Sequence, residues 1–120
     1  MKDFIPTMLF FLNNMKIYHW RTTTFSRHKA SDDAFAHIQD LFDKFVETYS
    51  GRYGRDKLFP PGMNNQSTSI VYFNDKNINT LVKQLVKFLT NASFEDPELI
   101  NIRDDMLTVL NQTLYLFTLS

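Results

Sequence analysis

Residues 27–49 read RHKASDDAFAHIQDLFDKFVETY. Placed on an α-helix, His28, Asp32, Asp43 and Glu47 fall on one side, within an arc of about 100°. Their positions are also mirror-symmetric about the midpoint between residues 37 and 38, so that His28 mirrors Glu47 and Asp32 mirrors Asp43. Yet His28 and Asp43 are 15 residues apart, roughly 22 Å along the axis at about 1.5 Å per residue. One chain cannot bring all four to a single ion. Two copies of the helix, packed antiparallel about a two-fold axis, would place His28 beside the partner's Glu47 and Asp32 beside the partner's Asp43. The spacing therefore predicts two equivalent His/Asp/Asp/Glu clusters shared across a homodimer interface.

Outward from this segment, periodicity predicts four helices and no internal repeat. The first runs from about Asp3 or Pro6 to Trp20, with Ile5, Met8, Leu9, Leu12, Met15 and His19 at steps of three and four. Pro6 suits only a first turn. The second starts near Ser26 or Arg27 and ends near Tyr49, stopped by Ser50-Gly51. Its apolar stripe is Phe35, Ile38, Phe42, Phe45, Val46 and Tyr49. A long connection follows, Gly51 to Lys76, with Pro60-Pro61-Gly62 and a polar run Asn64 to Ser69. Ser69 to Phe73 reads as a short extended piece. The third helix, Asn77 to about Thr90, is capped by Asn74 or Asp75. Asp96-Pro97-Glu98 opens the fourth, which runs to about Phe117. A connection of this length fits a crossover between two parallel helices. The expected fold is one all-α domain over residues 1–120, a ferritin-like four-helix bundle with a long crossover between helices 2 and 3. An ordinary up-down-up-down bundle with a long loop is the alternative.

Composition narrows the function classes. The chain has 120 residues, twelve of them Phe, with zero formal net charge and no cysteine. That is enough for one domain with an aromatic-rich core. The absence of cysteine excludes disulfides and thiolate metal sites. The charge balance gives no support for nucleic-acid binding. MKDFIPTMLFFLNN reads as a helix start and not a signal peptide, and no apolar run suits a membrane span. The expected setting is a soluble one: the cytoplasm or, for a viral protein, the host cytoplasm or virion.

Imidazoles with carboxylates suit iron(II), manganese or zinc better than calcium. His19, near the end of the first helix, is a further candidate ligand from the neighbouring helix. On spacing alone a second reading stands beside the metal site. The second helix also carries Asp33, His37 and Asp40, and a charged helix flank is commonly just solvated. His19 alone also fits a partly buried histidine with a single hydrogen bond. The basic residues Arg21, Arg27 and Lys29, with Arg52, Arg55 and Lys57, are the only support for a third reading, a polyanion binder.

Tyr18-His19-Trp20, then His28, Asp32, Asp43 and Glu47 at these spacings, resemble the Dps family. These small ferritin-like proteins oxidise and store iron in bacteria under stress. The likeness covers about Ile17 to Gly54. It implies a ferroxidase site between two subunits, with His19, His28 and Asp32 of one chain facing Asp43 and Glu47 of the other, and Trp20 beside it as an oxidisable ring. It further implies a homodimer, and in the family a larger shell. The chain departs from that family in a shorter stretch between His19 and His28, and it shows no Lys/Arg-rich N-terminal run for DNA. It also resembles short ferritin-like proteins of phages and giant viruses. The competing expectation is a structural or interaction protein that keeps the bundle without a working metal site.

Overall fold

Phe4, Met8, Phe11, Leu12, Met15 and Tyr18 recur at helical spacing, and they form the buried stripe of α1 (Phe4–Arg21). The computed structural model describes residues 3–59 and 69–119. Three further α-helices follow among them: α2 (Phe25–Tyr53), α3 (Ile78–Asn91) and α4 (Pro97–Phe117). Ile38, Phe42 and Phe45 of α2, Leu81, Val82, Leu85 and Leu89 of α3, and Leu99, Ile102, Met106 and Leu110 of α4 join the α1 stripe in one core. The all-helical bundle expected from periodicity is what forms. No helix among the described residues is long and apolar enough to cross a membrane.

Packing and end contacts fix the arrangement. α1 packs against α2 and α3, α4 packs against the same two, and α2 and α3 sit at opposite corners. At one end of the bundle the contacts are polar. Tyr18 donates to the Asp75 carboxylate at 2.7 Å, Thr22 donates to the same oxygen at 3.0 Å, and Arg27 donates to the Phe117 carbonyl at 3.0 Å. At the other end they are aromatic. Phe4 stacks on Phe45 at 4.3 Å and lies 6.3 Å from Phe88, while Phe94 meets Phe45 edge-on at 5.2 Å. Burying one such ring contributes roughly 1.5–3 kcal/mol, and a ring pair adds about 0.5–1.5 kcal/mol. The polar end gathers the end of α1, the starts of α2 and α3, and the end of α4. α2 and α3 therefore run in the same sense, and α1 and α4 run against them.

The sequence expectations need five corrections. α2 begins at Phe25 and does not stop at Ser50-Gly51; it continues to Tyr53. A mid-helix glycine costs only about 1 kcal/mol, and the tilted contact of the Tyr49 and Tyr53 rings, 4.8 Å between centres, favours the extra turn. Gly54, at φ 91°, ends the helix instead. Arg55–Lys57 then form a short 3-10 turn. Ser69 to Phe73 is not a strand: Tyr72 turns the chain at φ 55°, and the segment is strapped to α1 by Asn14. That buried side chain donates to the Ser69 carbonyl at 3.0 Å and accepts from the Val71 N–H at 2.8 Å. Asp75 does not cap α3, because its carboxylate is taken by Tyr18. Asn74 serves the turn before the helix, accepting from the Lys76 and Asn77 N–H groups. Asp96 precedes α4 as expected, but its carboxylate accepts from Tyr53 at 2.5 Å and caps nothing. Pro60-Pro61-Gly62 and Asn64 to Thr68 lie outside the described residues.

The Tyr18–Asp75 link gives the polar end a defined pH response. The Tyr18 hydrogen bond holds the Asp75 carboxyl below the usual carboxylate range, opposed by burial and aided to a lesser degree by the Thr22 hydrogen bond and the Arg27 charge. A lowered folded pKa stabilises the native state above the unfolded value of about 4. That contribution disappears as pH falls through the folded value. Asp75→Asn is expected to lower the urea midpoint at pH 7, with the difference from the parent shrinking toward pH 2.5. A pH-independent difference would show that the carboxylate charge is not what holds this end.

Candidate metal centre

The α1–α2 turn, residues 22–24, is short, so the last turn of α1 lies beside the first turns of α2. His19 and His28 meet there with their rings stacked at 4.0 Å and 20° between planes. Each ring bonds to the other residue's backbone: His19 Nδ1 is 2.7 Å from the His28 carbonyl, and His28 Nδ1 is 2.9 Å from the His19 carbonyl. A carbonyl oxygen only accepts, so both Nδ1 atoms carry the proton. Whenever a ring is neutral, this tautomer leaves its Nε2 unprotonated. This is the arrangement that prepares an imidazole for metal, with the far nitrogen oriented by a backbone carbonyl.

His19 is buried, and its Nε2 lies 3.9 Å from Asp32 Oδ1, an ion pair when the ring is protonated. Lys16 Nζ is also 3.9 Å from that oxygen, and it sits 4.8 Å from the Phe35 ring centre and 5.7 Å from that of Trp20. His28 and Asp32 are solvent-exposed on the α2 flank. Trp20 and Phe25, two large apolar side chains, are exposed on either side of the turn. The structure thus brings His19 beside His28 and, separately, its Nε2 to 3.9 Å from Asp32. Asp43 and Glu47 are exposed on the same helix and remain apart from them, 15 residues beyond His28 in the case of Asp43. Among the described residues no three His, Asp or Glu side chains of one chain converge on a common point.

Two residues of this corner were not singled out from sequence. Ser31 is fully buried; it donates to the His28 carbonyl at 3.0 Å and lies 3.3 Å from His19 Nδ1, tying the two histidines together. A serine three residues after His28, on the side that faces α1, was the available signal. Lys16 stands three residues before His19, one helical turn away on the same face.

All five candidate residues fall inside the one family match found. Residues 19–117 match the model of a family of unknown function, DUF5856. The chain belongs to this family. A 37-residue segment is 49% identical to an uncharacterized 14.6 kDa protein in the mobD-ri intergenic region of Enterobacteria phage T4, covering 31% of this chain. The chain thus spans only 29% of that relative's length. No solved structure matches.

The carbonyl bonds make a direct spectroscopic claim. Above pH 7 the nitrogen-15 shifts of His19 and His28 should both report the Nδ1–H tautomer, with Nε2 unprotonated. The common Nε2–H form at either ring would remove the preformed lone pair and weaken the case for a metal ligand.

Proposed function

We propose that this family member is a ferritin-like, Dps-like iron-binding protein whose ferroxidase sites are shared between two subunits. The observation that carries the reading is buried His19, stacked on His28 with its Nε2 3.9 Å from Asp32, on a helix whose mirror positions hold Asp43 and Glu47. The helix senses support it too. Parallel α2 and α3 at opposite corners, linked by one long connection, are the pattern of ferritin-like bundles.

In the proposed dimer, His19, His28 and Asp32 of one chain face Asp43 and Glu47 of the other. The imidazoles retain iron(II), the substrate, and the three carboxylates favour iron(III) as dioxygen or peroxide takes the electron. Zinc or manganese would fit the same donors. Binding requires unprotonated imidazole, so affinity falls in acid. Trp20 stands one residue from His19 as an oxidisable ring.

A second reading has its own support. Lys16 already neutralises part of Asp32, and the phage T4 relative favours a viral setting. In that reading the chain is a structural bundle of a virus, with the candidate ligands unused.

Subunit mixing separates the two. A variant with His28→Ala and Asp32→Ala, and another with Asp43→Ala and Glu47→Ala, should each lose iron(II) oxidation as homodimers. Mixed one-to-one, each heterodimer regains one intact cluster, restoring about a quarter of the parent rate for random pairing. A mixture that contains heterodimers by mass spectrometry yet stays inactive, beside an active parent, rejects the shared site. A parent that neither binds nor oxidises iron leaves the structural reading.

A further inference from the structure

We propose that the cleft between the end of α2 and the α3–α4 connection binds a trimethylammonium group, the head of choline or of a trimethylated lysine. The cleft lies at the aromatic end of the bundle, away from His19 and His28, and the inference is independent of the iron reading.

The cleft is a cavity of about 320 Å³ lined by Tyr49, Tyr53, Ser93, Phe94, Glu95 and Asp96. Half of this lining is aromatic, and the rings are held from behind. Tyr49 stacks on buried Phe45 at 6.1 Å, and Phe94 meets the same ring edge-on at 5.2 Å. Tyr53 leans on Tyr49 with 4.8 Å between centres, and its hydroxyl is pinned by the bond it donates to Asp96. The connection that carries Ser93 to Asp96 is fixed as well, because Arg103 donates to the Leu89 and Ala92 carbonyls, each at 3.0 Å. Rings positioned in advance lose little freedom when a ligand enters.

Charge selects the occupant. The described lining carries two carboxylates, Glu95 and Asp96, and no cation. Arg52 stands at the rim and offsets one of them. Its Nε is 3.5 Å from Asp96 Oδ1, and its guanidinium lies 5.8 Å from the centre of the Tyr53 ring. The chain thus already sets one cation against this ring and this carboxylate, as the negative face of an aromatic ring favours. Both Asp96 oxygens are engaged, Oδ1 by Arg52 and Oδ2 by Tyr53. A metal ion, which needs several oxygen or nitrogen donors, finds Glu95 as the one uncommitted carboxylate of the lining. A primary ammonium brings three N–H groups that each need an acceptor. A trimethylammonium group has no N–H to satisfy, and it gains from the ring faces and the net negative lining without one.

The test is calorimetry and proton NMR of the full chain with choline and with its dimethylbutanol isostere, in which carbon replaces the charged nitrogen. Choline should bind at least about tenfold more tightly than the isostere, with nuclear Overhauser contacts from its methyl protons to the rings of Tyr49, Tyr53 and Phe94. A short peptide carrying trimethyllysine, beside the same peptide unmodified, separates the sources. Tighter binding of the modified peptide than of choline assigns a protein partner, and the reverse assigns a small molecule or headgroup. Tyr49→Leu keeps apolar bulk and leaves both Asp96 contacts in place; with its helical circular dichroism intact, it should bind choline at least about tenfold more weakly. Choline that binds no more tightly than its isostere, or not at all, overturns the proposal whatever the variant does. Methyl contacts that map away from the three rings overturn it, as does a folded variant that binds choline like the parent.

Discussion

Each ring of the His19–His28 pair donates to the other residue's backbone carbonyl, and that reciprocal bond sets the register of α1 against α2. It does so at the polar end of the bundle, where Tyr18, Asp75, Thr22 and Arg27 also bind the start of α3 and the end of α4 into place. The same two bonds select the Nδ1–H tautomer of each ring in its neutral form. This local arrangement anchors the α1–α2 hairpin. Ser31 reinforces it from within the core.

Helical rise is the second constraint. α2 continues unbroken from Phe25 to Tyr53, so the flank that begins at His28 and ends at Glu47 is too long to close on one ion. A protein that uses these groups jointly must supply the missing half from another chain. The mirror spacing of the four residues is the pattern a two-fold operation requires, and the proposed dimer follows from it. The exposed Trp20 and Phe25 beside the histidines, otherwise unusual on a bundle surface, find a place in the same picture.

The four helices were legible in the sequence because their signals are local: heptad-like apolar spacing, Pro6 in a first turn, and the Asp96-Pro97 start. The buried, hydrogen-bonded His19 was legible as one of the two readings its helix position offered. What the sequence hid is long-range. Asn14 looks like an ordinary polar helix residue until Ser69 and Val71, 55 and 57 positions away, are laid against it. Tyr18 and Asp75 find each other across 57 positions. Asp96 reads as a helix cap, yet its carboxylate binds Tyr53 on another helix. Gly51 reads as a stop, but the Tyr49–Tyr53 ring contact and that same Asp96 bond favour one more turn. Local preference sets where elements begin; partners distant in the chain decide where several of them end.

The shared metal site is the central claim, and it is tested most directly by anomalous diffraction at the iron edge from crystals grown anaerobically with iron(II). The account predicts two equivalent iron-specific peaks per two-fold dimer. Each should lie between His19, His28 and Asp32 of one chain and Asp43 and Glu47 of the other. Iron bound within a single chain, or no peak in crystals whose two-fold contact runs along α2, would contradict it.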